Sequence, residues 1–449
     1  MLHPSQSAVS GSGMLPPATP AYILRGHSCA IHALKFYAGN SRLLSGDAEG
    51  WIIAWDLVTR RAAASWRAHS GSILSVEGTE VGGERRIFTH GRDHKLRVWR
   101  LNLSDEDLMS KTLPVDEAGR AQREILEPWL LHSLDVNALN FCAFSYCYLA
   151  PEMLQATGLE SVYGDQPQFL MAVANSISEG GIDVFHLPSQ RRVSKIVPDP
   201  SAKTGMLMAV DMFITSTKQL CIASGYEDGT AMVHVLKGNV SPTLRLLNAQ
   251  ETWSWEKVYS VRAHSQPVLS LSTSPGSDKQ WFITSSADAV LAKHPLPNTD
   301  PDVVMQREVE SKPLQTVNTK HAGQQGLKVR SDGKIFATAG WDKRTRVYSC
   351  KSMKELAVLK WHREGCFAIA FAELDVNPAV SNRSTAEAGS PKTEDEKCTH
   401  QPNKMALTSS RPTTGGLTAI KERRNIKAMA THWLVAGGKD CKISLWDIY

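Results

Sequence analysis

Histidine, acidic and hydroxyl residues stand along this chain at spacings that could support catalysis. His69 precedes the acid Asp93 by 24 residues, and Thr89 lies four residues before that acid. Trp99 follows Asp93 six residues later. A histidine, a carboxylate and a hydroxyl in contact could act as the triad of a hydrolase. They could equally form a buried hydrogen-bond network that only holds the backbone in place.

The same set recurs through the sequence, which favours the structural interpretation. Seven acids each precede a ring-bearing residue by six positions: Glu49 and Trp55, Asp93 and Trp99, Glu179 and Phe185, Asp228 and His234, Asp288 and His294, Asp342 and Tyr348, Asp440 and Trp446. The histidines that precede these acids are His27, His69, His264, His321 and His362. The hydroxyls four residues before an acid are Ser45, Thr89, Ser224, Thr284 and Thr338. Such recurrence is typical of repeat proteins, and we interpret each set as a tie between two turns of one rim.

No reactive motif accompanies these sets. The sequence contains no GxSxG, GxxxxGK[ST] or HExxH motif, and no GxGxxG after a strand, so we expect no enzyme and no cofactor. The eight cysteines form no CxxC pair, and the spacing of Cys142 and Cys147 fits no common zinc site, so we expect no metal. We interpret the cysteines as reduced thiols of an intracellular protein.

The composition is that of an ordinary soluble protein. Of the 449 residues, 42% are apolar and 21% are charged. A net charge of +5 does not require a nucleic acid or a membrane as partner, and we expect neither. No run of eighteen apolar residues is present, so no transmembrane helix is expected.

The elements that carry these residues alternate regularly along the chain. Each unit consists of a strand of small residues, an acidic turn and a second, alternating strand that ends in the ring-bearing residue. RGH followed by SGDAEGWIIAWDL near the start, and AGGKDCKISLWDIY at the end, resemble the WD40 repeat family. The resemblance implies an all-β fold, a seven-bladed β-propeller with four antiparallel strands in each blade.

The two ends of the chain are expected to close the propeller together. Residues 21–25, AYILR, precede the first repeat and have no blade of their own. They should pair as the outermost strand beside residues 442–448, since an uncovered terminal strand would invite mispairing. The propeller is therefore predicted to span residues 21–449, closed by an N-terminal strand in the last blade.

Three segments do not follow the repeat. Residues 1–20 are rich in Ser, Pro and Gly and are predicted to be a flexible tail. Residues 103–127 are charged and lack a two-residue alternation, which predicts a linker between blades. Residues 377–427 contain few aliphatic residues, so they are predicted to be a disordered insertion within blade seven.

Three turn residues are candidates for partner binding. Arg92, Trp341 and Lys439 each stand immediately before the acid of their turn. Their blades would be adjacent or nearly adjacent once the propeller closes, and Trp and Arg are common in binding hot spots. The alternative is that each is an ordinary solvated turn residue. Trp253 and Trp255, in contrast, are expected to pack on an outer strand or to line a side groove.

Longer stretches resemble a narrower family. LEPWLLHSLDVNALNFCAFS (126–145), LCIASGYEDGTAMV (220–233), ATAGWDKRTRVYS (337–349), MKELAVLKWH (353–362) and AGGKDCKISLWDIY (436–449) are similar to the fungal ASTRA-associated protein 1 family, whose animal relatives are named G-protein β-subunit-like. This resemblance implies a nuclear, non-enzymatic scaffold subunit of the ASTRA complex, a monomeric propeller within a hetero-complex. It implies AAA+ helicases, a pseudokinase and a co-chaperone as protein partners. It also implies links to chromatin remodelling and to maturation of phosphatidylinositol-3-kinase-like kinases.

Rival interpretations remain open at this stage. A heterotrimeric G-protein β subunit would need an N-terminal helix of heptads, whereas residues 1–20 contain a Pro-Pro pair and almost no apolar period. A substrate adaptor, for example of a ubiquitin ligase, or a histone-tail reader would use the same fold, which does not by itself determine function. A propeller enzyme is disfavoured because no reactive constellation is present.

Overall fold

Apolar residues on both faces of the inner strands indicate that each sheet packs between two others. The computed structural model describes residues 18–117, 126–137, 142–150, 166–198, 203–237, 253–277, 279–296, 309, 311–374 and 417–448. In it, seven four-stranded antiparallel sheets follow one another around a central channel. The predicted seven-bladed β-propeller is confirmed.

Blades I to IV are consecutive in the chain, and in each the first strand is innermost. Their strands are β2 (Ile31–Tyr37), β3 (Arg42–Asp47), β4 (Trp51–Asp56) and β5 (Arg61–Arg67); β6 (Ile73–Val81), β7 (Glu84–Gly91), β8 (Lys95–Arg100) and β9 (Trp129–Asp135); β10 (Ser145–Leu149), β11 (Gln168–Ala174), β12 (Ile182–Leu187) and β13 (Arg191–Ile196); β14 (Leu207–Ile214), β15 (Leu220–Tyr226), β16 (Thr230–Leu236) and β17 (Trp255–Arg262).

Blades V to VII complete the propeller. Their strands are β18 (Val268–Thr273), β19 (Trp281–Ser286), β20 (Val290–Pro295) and β21 (Gln315–Asn318); β22 (Gln324–Val329), β23 (Ile335–Gly340), β24 (Arg344–Ser349) and β25 (Glu355–Lys360); β26 (Cys366–Phe371), β27 (Trp433–Gly438), β28 (Lys442–Asp447) and β1 (Tyr22–Arg25). Two helices are described, α1 (Pro114–Glu117) and α2 (Leu417–Ala430). No helix in the described ranges is long and apolar enough to cross a membrane.

The N-terminal strand closes blade VII as predicted. β1 pairs antiparallel with β28, with Ile23 opposite Ser444 and Arg25 opposite Lys442. Leu24 is buried in a cluster that joins blade VII to blade I. Blade VII therefore contains strands from both ends of the described chain. Strand β1 contributes to it both backbone hydrogen bonds and a buried apolar side chain.

A β-bulge recurs near the start of the innermost strand in six blades. The residues skipped by the pairing are His32, Leu74, Met208, Leu269, Gln325 and Phe367. A bulge turns the extra side chain away from the regular alternation. All six side chains line the central channel, which has a volume of about 480 Å³.

The segment 103–127, predicted to be a linker between blades, instead connects β8 to β9 inside blade II, because β9 is the outer strand of the same sheet. The segment is ordered over residues 103–117. Glu106, only 5% exposed, binds the Arg42 guanidinium at 2.7 Å. The Ser110 carbonyl accepts from Ser65 N–H on the outer strand of blade I, at 2.8 Å. Since this segment covers an otherwise free strand edge, it also protects blade I from mispairing. Residues 118–125 lie outside the described residues.

The predicted disordered insertion 377–427 is only partly described. Residues 375–416 lie outside the described residues, as do residues 1–17 of the predicted tail. Helix α2 begins at Leu417, so the last part of the predicted disordered segment is helical. The C-terminal end of α2 is fixed to the last blade, because the Trp433 indole N–H donates to the Ala428 carbonyl at 2.9 Å.

Candidate functional site

The rim that carries the acidic turns is held by hydrogen-bond chains, of which blade II shows the full form. The Trp99 indole N–H donates to Thr89 Oγ1 at 2.9 Å. The Thr89 hydroxyl donates to His69 Nε2 at 2.8 Å, and His69 Nδ1–H donates to Asp93 at 2.7 Å. The chain runs from the blade interior to the turn and ties the loop before β6 to the turn after β7.

The charge state of this chain is fixed by its surroundings. Burial lowers the pKa of His69, so the imidazole is neutral at pH 7. Burial alone would raise the pKa of Asp93, but hydrogen bonds from His69 and Arg97 outweigh it and hold that pKa well below its usual range. An ionised carboxylate therefore accepts from neutral and cationic donors, the arrangement that satisfies every member of the chain.

Blade VII has the same chain with one change. His362 Nδ1–H donates to Asp440 at 3.0 Å, and His362 Nε2 lies 2.9 Å from Ser444 Oγ. Trp446 completes it by donating to Ser444 at 2.9 Å. In blade II the hydroxyl comes from the second strand of the blade, whereas in blade VII it comes from the third strand, β28. There Ser444 is paired with Ala436 of the second strand, β27.

Blade V extends the chain by one more group. His264 lies 3.3 Å from Asp288 and 2.8 Å from Thr284. His294 occupies the position of the tryptophan and bonds to Thr284 at 2.8 Å, while Tyr259 bonds to its other nitrogen at 2.9 Å. Burial lowers the pKa of His294 to about 3, so it is neutral and can accept from the phenol.

Blade I corrects one predicted residue. His27 Nδ1–H donates to Asp47 at 2.8 Å, and His27 Nε2 lies 2.6 Å from Ser45 Oγ. The Trp55 indole N–H completes the chain by donating to Ser45 Oγ at 2.8 Å. Glu49, the acid expected from the spacing, does not bond to His27, and its backbone N–H donates to Asp47 at 3.0 Å.

The reason lies in the residue that ends the second strand. Blades II and VII have Gly91 and Gly438 at the position of Asp47, where an added Cβ would crowd the histidine of the same blade. In those blades the acid must reach over from the turn. Blade I instead places the carboxylate on the strand, beside His27, so the turn acid is not needed.

Blade VI corrects a second prediction. Arg346 binds Asp342 through two donors at 2.6 and 3.1 Å. His321 Nδ1 is 3.9 Å from Asp342, and its side chain is 38% exposed. The predicted hydrogen bond from His321 is therefore wrong: the buried guanidinium, with paired donors matched to a carboxylate, occupies the acid.

Blades III and IV lack the chain altogether among the described residues. In blade III, Asn175 Nδ2 donates to Asp183 at 2.8 Å, and Asn175 Oδ1 accepts from the N–H groups of Ile177 and Ser178 at 2.8 and 2.6 Å. Glu179 is exposed beside this turn. In blade IV, the Asp228 carboxylate accepts within its own turn, from Thr230 N–H and Oγ1–H at 2.9 and 2.8 Å.

These chains are not catalytic sites. The hydroxyls of Ser45, Thr89, Thr284 and Ser444 belong to residues that are 0% exposed. A nucleophile must reach its substrate, and none of these can. Within the described ranges, no group of three or more His, Cys, Asp or Glu side chains is placed to hold a metal ion.

The exposed candidates fall into two places on the rim. Trp341 and Lys439 line one cleft of about 550 Å³ between blades VI and VII, together with Gln325, Lys343, Glu364, Gly365 and Phe367. Trp341 is 47% exposed. Arg92 is in blade II, beside Gly71, and is not among the residues that line this cleft. The predicted arc therefore consists of a cleft and a separate basic residue.

A side groove lies between blades III and IV. Trp253, Trp255, His234 and Lys257 are among the residues around it, and its volume is about 440 Å³. The Trp255 indole N–H donates across to Ser194 of blade III at 2.8 Å. Both tryptophans predicted for an outer strand or side groove are found there.

Several residues of these sites were missed from the sequence. Asp47 could have been noticed, because it replaces the glycine that ends the equivalent strand in blades II, VI and VII. Arg346 stands four residues after its acid, as Arg97 does in blade II, and this spacing was a usable signal. No sequence signal marked Phe367 and Gln325, since the position of a bulge is set by the strand pairing rather than by a motif.

Comparison with known proteins gives consistent matches along the chain. The family model described as ASTRA-associated protein 1 matches residues 20–446, a range that includes all seven blades. ASTRA-associated protein 1 of Aspergillus niger is 49% identical over 461 residues, with 99% of this chain and 100% of the relative covered. The protein of that name from Penicillium rubens is 50% identical over 440 residues, covering 96% and 98%. The one from Schizosaccharomyces pombe is 33% identical over 377 residues, covering 79% and 93%.

Proposed function

This chain belongs to the ASTRA-associated protein 1 family, and from that membership we propose that it is a non-enzymatic scaffold subunit of the ASTRA complex. Its role would be to present the propeller surface to other subunits. We further propose that it acts in the nucleus, in chromatin remodelling and in the maturation of phosphatidylinositol-3-kinase-like kinases. Its partners would be AAA+ helicases, a pseudokinase and a co-chaperone.

One structural observation supports a scaffold rather than an enzyme. The residues that resemble a triad are used inside the blades, and their hydroxyls have no exposed surface. What the rim offers to solvent is a cleft with an exposed tryptophan and lysines, which are groups suited to binding. Fold alone would not distinguish a scaffold from an adaptor, so the proposal depends on the family match.

Affinity purification tests this proposal directly. The full-length chain, tagged and expressed in a fungal host, should recover AAA+ helicases and a pseudokinase, identified by mass spectrometry, and should fractionate with nuclei. An unrelated seven-bladed propeller with the same tag is the matched control. Recovery of cullin-type ligase subunits alone would support a substrate adaptor, and recovery of histones alone would support a histone-tail reader. Either result would overturn the scaffold proposal.

The same purification tests the candidate partner-binding residues. Trp341→Ala, Lys439→Ala and Arg92→Ala should each reduce partner recovery without lowering the melting temperature, since all three positions are turn residues at the rim. Lys351→Ala, in the exposed turn after β24 at the opposite rim, is the control. Loss of folding in the rim variants would instead indicate a structural role.

A further inference from the structure

The cleft between blades VI and VII combines aromatic and cationic groups at the mouth of the channel. We propose, on the basis of the scaffold function above, that this cleft binds an acidic segment of a partner protein. One apolar side chain of the segment packs between Trp341 and Phe367, and flanking carboxylates meet Lys343 and Lys439. Arg92 lies outside this site.

The aromatic part of the cleft is fixed before any ligand arrives. One face of the Trp341 indole lies against Gly323, which leaves no room for a Cβ atom there. The indole N–H donates to Gln325 Oε1 at 2.8 Å. Phe367 stacks on His32 with 5.4 Å between ring centroids. Because these contacts hold both rings, an apolar ligand group would bind with little loss of side-chain entropy.

Two of the cleft residues are placed there by β-bulges. Gln325 and Phe367 are the extra residues of β22 and β26, so their side chains turn toward the channel and the cleft. The Gln325 carbonyl oxygen already accepts from Trp341, which leaves its amide N–H groups as donors. Such donors suit the backbone carbonyls of an extended segment.

The charge of the cleft selects the ligand. Lys343 and Lys439 are exposed, and the rim acids beside them are already bound, Asp342 by Arg346 and Asp440 by His362. Among the described residues that line the cleft, Glu364 is the one acid, and it lies 3.8 Å from Lys439. Two lysines against one glutamate leave a net positive charge, which favours carboxylates and opposes a cationic ligand such as a methylated lysine.

Peptide binding to the full-length protein tests the assignment. The probe is a fluorescein-labelled peptide with one phenylalanine between glutamates, measured by fluorescence anisotropy at low and at physiological salt. It should bind, and replacement of its glutamates by glutamine or of its phenylalanine by alanine should weaken binding about tenfold or more. A peptide with trimethyl-lysine in place of phenylalanine and no acids should not bind.

Variants of the protein place the binding in the cleft. Trp341→Ala should weaken the labelled peptide about tenfold or more, and so should Lys343→Glu with Lys439→Glu. The charge-reversed protein should gain affinity for a peptide with lysines around its phenylalanine, a gain that damage to folding would not produce. Lys351→Glu, at the opposite rim, should bind as the wild type does.

The outcomes separate this inference from the proposed function. If the acidic peptide does not bind, if both cleft variants bind it like the wild type, or if the trimethyl-lysine peptide binds better, the assignment of the cleft is overturned. The scaffold proposal would still stand in each case if the wild-type chain recovers helicase and pseudokinase subunits. Failure of that recovery would overturn the scaffold proposal without changing the peptide result.

Discussion

Blades II and III are neighbours with the same strand order, yet their rim turns are held in different ways. In blade II, a chain from Trp99 to Asp93 joins two turns that are distant in sequence. In blade III, Asn175 closes a single turn around Asp183. Blades I, V and VII resemble blade II. Blades III and IV have no such chain among the described residues, and single hydrogen bonds link their turns to the preceding loop: Asn137 Nδ2 donates to the Asn175 carbonyl at 2.7 Å in blade III. In blade IV, Met206 N–H donates to the Glu227 carboxylate at 3.1 Å.

The difference shows what a propeller requires of each blade. The strands and their apolar faces are sufficient to form the sheet, since blade III has a fully buried second strand, β11, without the chain. The hydrogen-bond chain adds a tie between two loops of a blade. The cleft between blades VI and VII lies beside such a tie, the one in blade VII. We therefore expect removal of a tie to cost stability locally, while removal of a strand affects the whole propeller.

The largest effect should come from the strand that completes blade VII. Deletion of residues 1–25 removes β1, exposes the edge of β28 and uncovers the cluster around Leu24, so the protein should unfold or lose more than about 10 °C in melting temperature. Deletion of residues 1–19 keeps β1 and should change the melting temperature by less than about 2 °C. Equal melting temperatures for the two truncations, measured by calorimetry, would contradict closure by β1.

The next effect should separate the two acids of blade I. Asp47→Ala removes the carboxylate that His27 and two backbone N–H groups share, and should destabilise the protein by about 2–4 kcal/mol. Glu49→Ala should cost less than about 0.5 kcal/mol, because its side chain is outside the chain. Denaturant midpoints of the two variants give the comparison, and a larger loss for Glu49→Ala would restore the acid expected from the spacing.

The smallest effect compares one acid from each kind of blade. Burial tends to raise the pKa of Asp288, but bonds from His264 and the backbone lower it to about 2, so its charge stabilises the fold above its ordinary pKa and ceases to do so as pH falls toward 2. Asp288→Asn should therefore cost about 2 kcal/mol at pH 7 and almost nothing near pH 2. In blade III, burial raises the pKa of Asp183, so its charge opposes folding at pH 7.

Asp183→Asn is the matched variant, and it should be neutral or stabilising by under about 1 kcal/mol at pH 7. Unfolding midpoints at pH 7 and at lower pH distinguish the two acids by sign. A loss of similar size in both variants would mean that the two kinds of blade use their acids alike.

The repeat marks predicted the architecture well and the individual contacts less well. The spacing of His69, Thr89, Asp93 and Trp99 identified a complete chain, because strand geometry converts that spacing directly into proximity. Glu49 and His321 were misassigned, because Asp47 and Arg346 compete for the same partners and only the packed structure decides between them. The cleft could not be predicted as a whole, since Phe367 and Gln325 reach it through bulges.

The pairing of β1 with β28 in blade VII has a consequence for synthesis on the ribosome. Strand β1 is translated before the other strands described here but pairs with β28, which is translated after them, so a nascent chain can form the intervening blades while the propeller remains open. During that interval the apolar faces of the first and most recent blades lack a neighbour, and contacts so distant in sequence form slowly. Emergence of β28 is therefore the event that allows closure, and a product that lacks β28 would keep exposed apolar surfaces that chaperones and proteases recognise.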